Sequence, residues 1–595
     1  MFSSRPAGKL TVPGGWKLVV ALAFVSALGI VPLCLLSQAI KAVPESAFWP
    51  EFFEDVIPAG VSLLVVITAP LWVQLAANCP WRTWGENLIR QRVWLIVAAF
   101  IGYACIMKWA THGIVYTPDE YCAVLQARTL ASFHLTPQVD PQLMKWVTPG
   151  WLQGEFILTS QATGRYSPTY WPGYALLMAP FAAIGAQWLC NAALSVLTFC
   201  LMWALGKRLT NSKEGGMWAL ILTIGAAQIA LQAATYFSMP AHLAFNLLFC
   251  WFITNNTKRS TFIAGLVGSY ALILHNPAPH FSFAFPWIVW MALRRRHQLL
   301  PLLGGYVLIF LPVGIGWSAH LGGFDADPYI RAAAAQNADA GNFAAVVSRI
   351  LYVVRPPDTL LLLARIAGLI KWIVWAVPGT GGLAVLGYLQ LRKDKKQAQL
   401  SSAPIETAQL QPGELSQSES NQFLWLFFVS ALFSFTLYAF VRFDQGHGLG
   451  YRYIHQNWMT IPLLASAFLV RQNGQWKRLA AILCLGGVFI ILPMRAWMLR
   501  TYFDEISAMG PPLPPSSPSI TFIKERPRAT TAIINDPYLR QSDWKLRSFT
   551  PQENAKLAQH YLRNARKVQS SKWSEIWVGD SFAHSGSPVT QPSAP

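Results

Sequence analysis

The strongest constraint on this chain is a series of apolar runs, each roughly 20 residues long, that recurs from Trp16 to Met498. As a helix, a run of that length crosses a hydrocarbon core of about 30 Å. Lipid offers no hydrogen-bond partners, so each backbone N–H and C=O must be satisfied inside its own segment, and the runs read as helices. Composition agrees, with 53% hydrophobic and only 12% charged residues. A soluble domain carries about 25% charged residues. The 26 Trp and 34 Phe add a lipid-facing and interfacial character.

The net charge of +19 does not point to nucleic acid. The basic residues sit in short clusters between apolar runs, as cytoplasmic loops require, and no nucleic-acid-reading motif accompanies them. Of the eight cysteines, Cys34, Cys105, Cys190, Cys200, Cys250 and Cys484 lie inside apolar runs, and there is no CxxC pair. They read as small buried hydrophobes, not as metal ligands or disulfide partners. Arg5, Lys9 and Lys17 precede the first run, 18–36, which is too long for a cleaved signal core and reads as a signal anchor.

Alternation of the basic clusters sets a topology. With the N-terminus cytoplasmic, span one leads to an acidic loop carrying Glu45, Glu51, Glu54 and Asp55. Span two (57–75) returns to Arg82, Arg90 and Arg92, and span three (93–115) delivers a long outer loop, 116–187. Later clusters at Lys207, Lys258, Arg294, Arg392 and Lys477 are read as cytoplasmic. The expected fold class is an all-α polytopic membrane protein with about thirteen spans, outer-face juxtamembrane helices and a small extracytoplasmic C-terminal appendage. The expected divisions are two N-terminal helices over 1–92, a transmembrane core over 93–496 and a tail over 497–595. The core includes outer loops at 116–187 and 318–368 and a cytoplasmic linker at 392–421. Two apolar segments, 172–185 and the amphipathic 343–354, read as re-entrant or interfacial. Residues 397–421 are rich in Ser, Gln, Glu and Pro. In the tail, 530–534 reads as a strand, and Thr550, Pro551 and Glu553 as a capped helix start.

Unusual polar residues fall in five places assigned to one face. Thr117, Pro118, Asp119 and Glu120 open the outer loop. Thr117 suits an N-cap, Pro118 the first helical turn, and Glu120 completes a capping box. Capping does not require Asp119 to be an acid. Gly164 to Gly173 includes Arg165, Tyr170 and Trp171. The other three places carry His242, then His275, Asn276 and His280, then Tyr451, Arg452, Tyr453 and His455. Each taken singly fits a turn with interfacial aromatics. Together they suit a site for an amphiphile whose polar head lies above the membrane.

At these residues the chain resembles the polytopic C-type glycosyltransferases, which include dolichyl-phosphate-mannose–protein mannosyltransferases and bacterial relatives that take sugars from polyprenyl phosphates. The resemblance rests on an ordered series: Asp119, Glu120 and Tyr121 running to Arg128 and Leu130; Gly164 to Gly173; Asn191 to Leu194; and Tyr451, Arg452 and Tyr453 running to Pro462. It covers about 93–470 of the chain. The first two spans and the insertion 145–161 are additions to that pattern, and His275, Asn276 and Pro277 stand where many relatives have Arg-Pro.

The resemblance implies inverting transfer of a sugar from a polyprenyl-phosphate donor to a cell-envelope acceptor, on the extracytoplasmic face of the bacterial cytoplasmic membrane. It implies Asp119 as catalytic base, with Glu120 beside it. Arg452, Tyr451 and Tyr453 would hold the leaving phosphate. Arg128, Lys145, Arg165, His242, Asn276 and His280 stand as further donor contacts, and Tyr170, Trp171 and His455 line the acceptor cavity. No cofactor and no metal cluster is expected, with a divalent ion at Asp119, Asp325 and Asp327 as the alternative. The rival reading is a transporter or flippase for a lipid-linked sugar, without transferase activity.

Overall fold

The computed structural model describes residues 13–39, 45–154, 156–324, 354, 356–400, 414–441, 448–508, 518–524 and 533–583. Long apolar helices dominate it. Among the described residues, seven helices are long and apolar enough to cross a membrane: those within Trp16–Leu33, Phe53–Leu75, Arg92–Ala110, Gln187–Thr210, Arg296–Gly322, Gln417–Ala439 and Gly474–Ala508. The pair Lys213–Ile224 and Ala227–Ala233, bent by 60°, makes an eighth if it is counted as one span. The chain is an integral, polytopic helical membrane protein.

Thirteen spans are not confirmed. Several runs that read as spans in sequence fold into shorter helices, such as Met239–Ile253 and Thr460–Val470. At 1.5 Å per residue the 11-residue Thr460–Val470 reaches only about 16 Å. Gly173–Ala183 is equally short, as its reading as a re-entrant or interfacial segment requires.

The chain forms two compact units. The first comprises Met1–Ala110, Trp188–Gly314 and Val346–Arg500. Its packing explains why the two N-terminal helices belong to it. Trp16 and Val19 from the first helix, and Val65, Val66, Ala69 and Val73 from the second, share one buried cluster with Trp218, Leu383, Phe468, Trp476 and Leu483. Outside that cluster the same helices expose Phe24, Val25, Leu28, Leu64, Ile67 and Leu71, an apolar surface suited to lipid tails.

The expected acidic loop is not a loop. Glu45, Glu51, Glu54 and Asp55 lie in the helix Glu45–Leu75. Asp55 is buried, receives the Trp375 indole N–H at 2.7 Å and pairs with Lys371 Nζ at 2.6 Å. These partners permit a carboxylate inside an apolar helix. Arg495, read as a residue beyond the last span, is fully buried in Leu492–Ala508. It donates to the Glu54 carbonyl at 2.6 Å and lies 3.8 Å above the Trp375 ring.

The second unit comprises Thr111–Gln187, Ile315–Ala345 and Thr501–Pro595. It begins with the helix Pro118–Ala131, called the loop helix below, and an antiparallel hairpin, β1 (Ile157–Ser160) with β2 (Arg165–Pro168). The C-terminal part is an α/β module. Its four-stranded sheet is formed by β3 (Ser519–Ile523), β4 (Asp543–Arg547), β5 (Arg566–Ser570) and β6 (Ser574–Val578), ordered β4-β3-β6-β5. The central strands β3 and β6 are buried along their whole length, while β5 is an exposed edge. Helix Pro551–Tyr561 starts with the expected capping box at Thr550 and Glu553. Ile533 and Ile534, expected at the end of a strand, lie in a segment without regular secondary structure; 530–532 lie outside the described residues. So do 343–353 and 401–413, which hold most of the second interfacial segment and the middle of the linker.

Candidate functional site

The loop helix is set by its first turn. Thr117 has extended backbone angles, and its hydroxyl accepts the Glu120 N–H at 3.3 Å. Glu120 Oε2 in turn accepts the N–H groups of Tyr116 at 2.9 Å and Thr117 at 3.1 Å. This is the capping box expected from sequence. Glu120 is 2% exposed, so its carboxylate is committed to the helix start.

Asp119 has a different environment. Successive helical residues point about 100° apart, which turns Asp119 away from the cap. It is half-buried, and its Oδ1 accepts the Tyr170 hydroxyl at 2.5 Å. Tyr170 also receives the Gln126 side-chain N–H on its carbonyl at 3.4 Å, so it touches the loop helix twice. The neighbouring thiol, Cys122, donates to the Phe156 carbonyl at 3.5 Å. Burial, reinforced by the Asp119 carboxylate, holds the Cys122 thiol well above its ordinary range, so it stays protonated and is no nucleophile. Trp171 lies half-buried just before Gly173–Ala183. The chemistry open to this corner is proton abstraction by Asp119, with a phenol in contact to orient it.

Three cations proposed for the donor have protein partners in this unit. Arg128 donates to the Asn535 carbonyl at 3.2 Å. Lys145 pairs with Glu553 at 3.4 Å, both exposed. Arg165 donates to the Thr136 hydroxyl at 3.3 Å and covers the Phe324 ring.

The first unit assembles the remaining candidates. Tyr451 is fully buried, and its N–H donates to Gln228 Oε1 at 3.1 Å. Gly450, at φ +87°, brings the backbone close enough to Gln228 that no Cβ would fit. Arg452 begins the short helix Arg452–Asn457, half-buried, with its guanidinium 4.4 Å above the Phe237 ring. Tyr453 stacks on Tyr438 at 4.9 Å.

Sequence reasoning missed Arg365 here. It is fully buried in Thr359–Val374, donates to the Val441 carbonyl at 2.8 Å and the Tyr451 hydroxyl at 3.5 Å, and covers the Tyr453 ring. A lone arginine inside an apolar helix was the available signal. Gly368, one turn on, makes room for the Tyr451 ring, which a Cβ there would strike.

The histidines gather in the same unit. His280 holds the Asn246 side-chain oxygen at 2.6 Å and the Tyr306 hydroxyl at 2.7 Å. His455 contacts Gln228 at 3.3 Å. His242 is buried, within electrostatic reach of His275, His280 and His455, and neither of its ring nitrogens has a hydrogen-bond partner among the described residues. Asn276 accepts the Ala278 N–H at 3.1 Å, the geometry of a helix start. Among the described residues no group of three or more His, Cys, Asp or Glu is placed to hold a metal ion; Asp325 and Asp327 lie outside them.

No family model matches the chain, and no curated protein matches it. Solved structures similar to it include two of ArnT from Cupriavidus metallidurans. One is bound to undecaprenyl phosphate, with 10% identity and a TM-score of 0.48. The other is in the apo state, with 11% identity and a TM-score of 0.46. Each likeness covers 82% of this chain and 97% of the other. At these values the likeness assigns no reaction, donor or residue role to this chain.

Proposed function

We propose that the protein is a membrane glycosyltransferase that moves a sugar from a polyprenyl-phosphate donor to a cell-envelope acceptor by inverting transfer, on the extracytoplasmic face of the bacterial cytoplasmic membrane. The observation that carries this reading is the division of labour between two adjacent carboxylates. Glu120 is consumed by the cap, whereas Asp119 is half-buried and held by a phenol. A helix start needs one acid at most; the second supplies a base.

In the proposed reaction Asp119 takes the proton from the acceptor hydroxyl or amine. The freed lone pair attacks the sugar C1 from the side opposite the phosphate. The C1–O bond breaks, its electrons stay on the oxygen, and polyprenyl phosphate leaves with the configuration at C1 inverted. Base assistance of this kind contributes roughly 10²–10⁴-fold. Fixed cationic and hydrogen-bonding groups stabilise the phosphate as its charge grows. Arg452 is assigned that part, with Tyr451, Tyr453 and the buried Arg365 around it as its support.

The test is an assay of the purified protein in proteoliposomes with a radiolabelled polyprenyl-phosphate sugar and an envelope extract as acceptor source. The expected result is equimolar release of polyprenyl phosphate and a product with inverted anomeric configuration. Label that crosses the bilayer still attached to intact lipid, with no release of polyprenyl phosphate, would replace transfer by lipid translocation.

A further inference from the structure

The tail beyond the last long helix has no part in the reaction described above, and the insertion 145–161 has no counterpart in the motif series. Both belong to the second unit, and each accounts for the other. Trp146 of the insertion packs edge-on to Phe549, just after β4, at 4.5 Å and to Phe522 of β3 at 5.7 Å. Asp140, just before it, accepts the Tyr561 hydroxyl at 2.7 Å. Gly150 lies against the Arg547 guanidinium, which would have to move if Gly150 carried a Cβ.

The segment 533–537 makes the more informative contact. Tyr121 of the loop helix donates its hydroxyl to the Ile533 carbonyl at 2.9 Å. Arg128, two turns on, donates to the Asn535 carbonyl at 3.2 Å. Tyr166 of the hairpin donates to the Pro537 carbonyl at 3.1 Å. The three acceptors alternate along the chain. Segment 533–537 has no regular secondary structure and turns at Pro537 and Tyr538, and its carbonyls at 533, 535 and 537 each accept one of these donors.

That segment is itself pinned. The Asn535 side chain donates to the Lys545 carbonyl at 2.7 Å and accepts the Lys545 N–H at 2.8 Å, pairing with β4 as a strand residue would. Gln541 adds a third bond to Asn535 at 2.7 Å. Asp536 closes the turn, accepting the Tyr538 N–H at 3.0 Å and pairing with Arg540 at 2.9 Å. The start of the outer loop is held as well, since Tyr116 packs edge-on to Tyr502 at 5.3 Å and Phe503 at 5.6 Å.

We propose that the C-terminal module is the positioning element of the loop helix: segment 533–537, pinned to β4 through Asn535, fixes the helix that presents Asp119. This inference rests on the functional reading above for its consequence in turnover, and on geometry alone for the clamp. Asn535 is a positioning residue; it acts through the carbonyls that accept from Tyr121, Arg128 and Tyr166. Misplacing a reacting group by about 1 Å costs up to roughly 10²-fold in rate.

The test uses the full-length protein with Asn535→Ala, and the double variant Tyr121→Phe/Tyr166→Phe, which keeps the rings and removes two bonds should Asn535→Ala fail to fold. Hydrogen exchange is measured by mass spectrometry across 118–131, alongside kcat and the donor KM. The expected result is faster exchange across 118–131, no change across Arg296–Gly322, and a roughly 10–100-fold fall in kcat with the donor KM within about twofold of wild type. Unchanged exchange across 118–131 overturns the clamp. Faster exchange with unchanged kcat overturns positioning, provided Asp119→Asn abolishes turnover. If Asp119→Asn retains turnover, the functional reading fails while the exchange arm still decides whether the clamp exists.

Discussion

Asp55 and Asp119 are both carboxylates held by an aromatic donor, and the difference between their surroundings separates architecture from chemistry. Asp55, in the first unit, is 2% exposed and bonded at once to the Trp375 indole and the Lys371 ammonium. The two opposite charges compensate each other inside apolar surroundings. Asp119, in the second unit, is half-buried and bonded to the neutral Tyr170 hydroxyl. The first kind of site specifies how helices pack; the second is where the proposed reaction puts its base.

The largest expected effect breaks the comparison on the Asp55 side. Lys371→Met should destabilise the protein by about 3–5 kcal/mol, because the buried carboxylate loses its counter-charge. Thermal unfolding in detergent reads this. The double variant Asp55→Asn/Lys371→Met should recover most of the loss. An unchanged melting temperature for Lys371→Met would mean that the pair is hydrated and that Asp55 and Asp119 do not differ in kind.

Arg452 extends the comparison to a cation. Its assigned role is to grip phosphate oxygens, which a guanidinium does bidentately and an ammonium as a point charge. Arg452→Ala should weaken donor-lipid binding by roughly 1.5–3 kcal/mol, and Arg452→Lys should restore part of it. Equal donor affinity in wild type and Arg452→Ala would reduce Arg452 to packing against Phe237.

A smaller effect sharpens the comparison within one helix turn. Thr117→Ala removes the cap and should cost about 0.5–2 kcal/mol in stability while transfer persists. Loss of transfer at normal stability would show that the cap and the chemistry are not separable.

Much of the helix-level fold was legible because apolar run length and local capping are sequence-local signals. The Thr117–Glu120 box and the Thr550–Glu553 box need only four residues each, and both form. Span count was less legible, because a run such as 460–470 reads as a span until Pro462 and its neighbours are seen to form an 11-residue helix. The Asp55–Lys371–Arg495 group was not legible at all. Its members are more than 100 residues apart, and the positive-inside rule assigned Asp55 and Arg495 to loops. In the candidate site the pattern picked out Asp119, Glu120 and Tyr170, and the structure bonds Tyr170 to Asp119 while Glu120 closes the cap. Asn535 and Arg365 escaped it, because a lone amide in a polar tail and a lone arginine in an apolar run acquire meaning only from what they touch.

The most direct measurement of the central claim is sugar transfer from a labelled polyprenyl-phosphate donor by purified Asp119→Asn and Glu120→Gln, each with its melting curve. Asp119→Asn keeps the size and the bond to Tyr170 but removes the base, so transfer should fall by at least roughly 10²-fold with melting near wild type. Glu120→Gln can still close the capping box and should keep most of the activity. Full transfer by Asp119→Asn, with loss in Glu120→Gln at normal melting, would contradict the account by reversing the two roles.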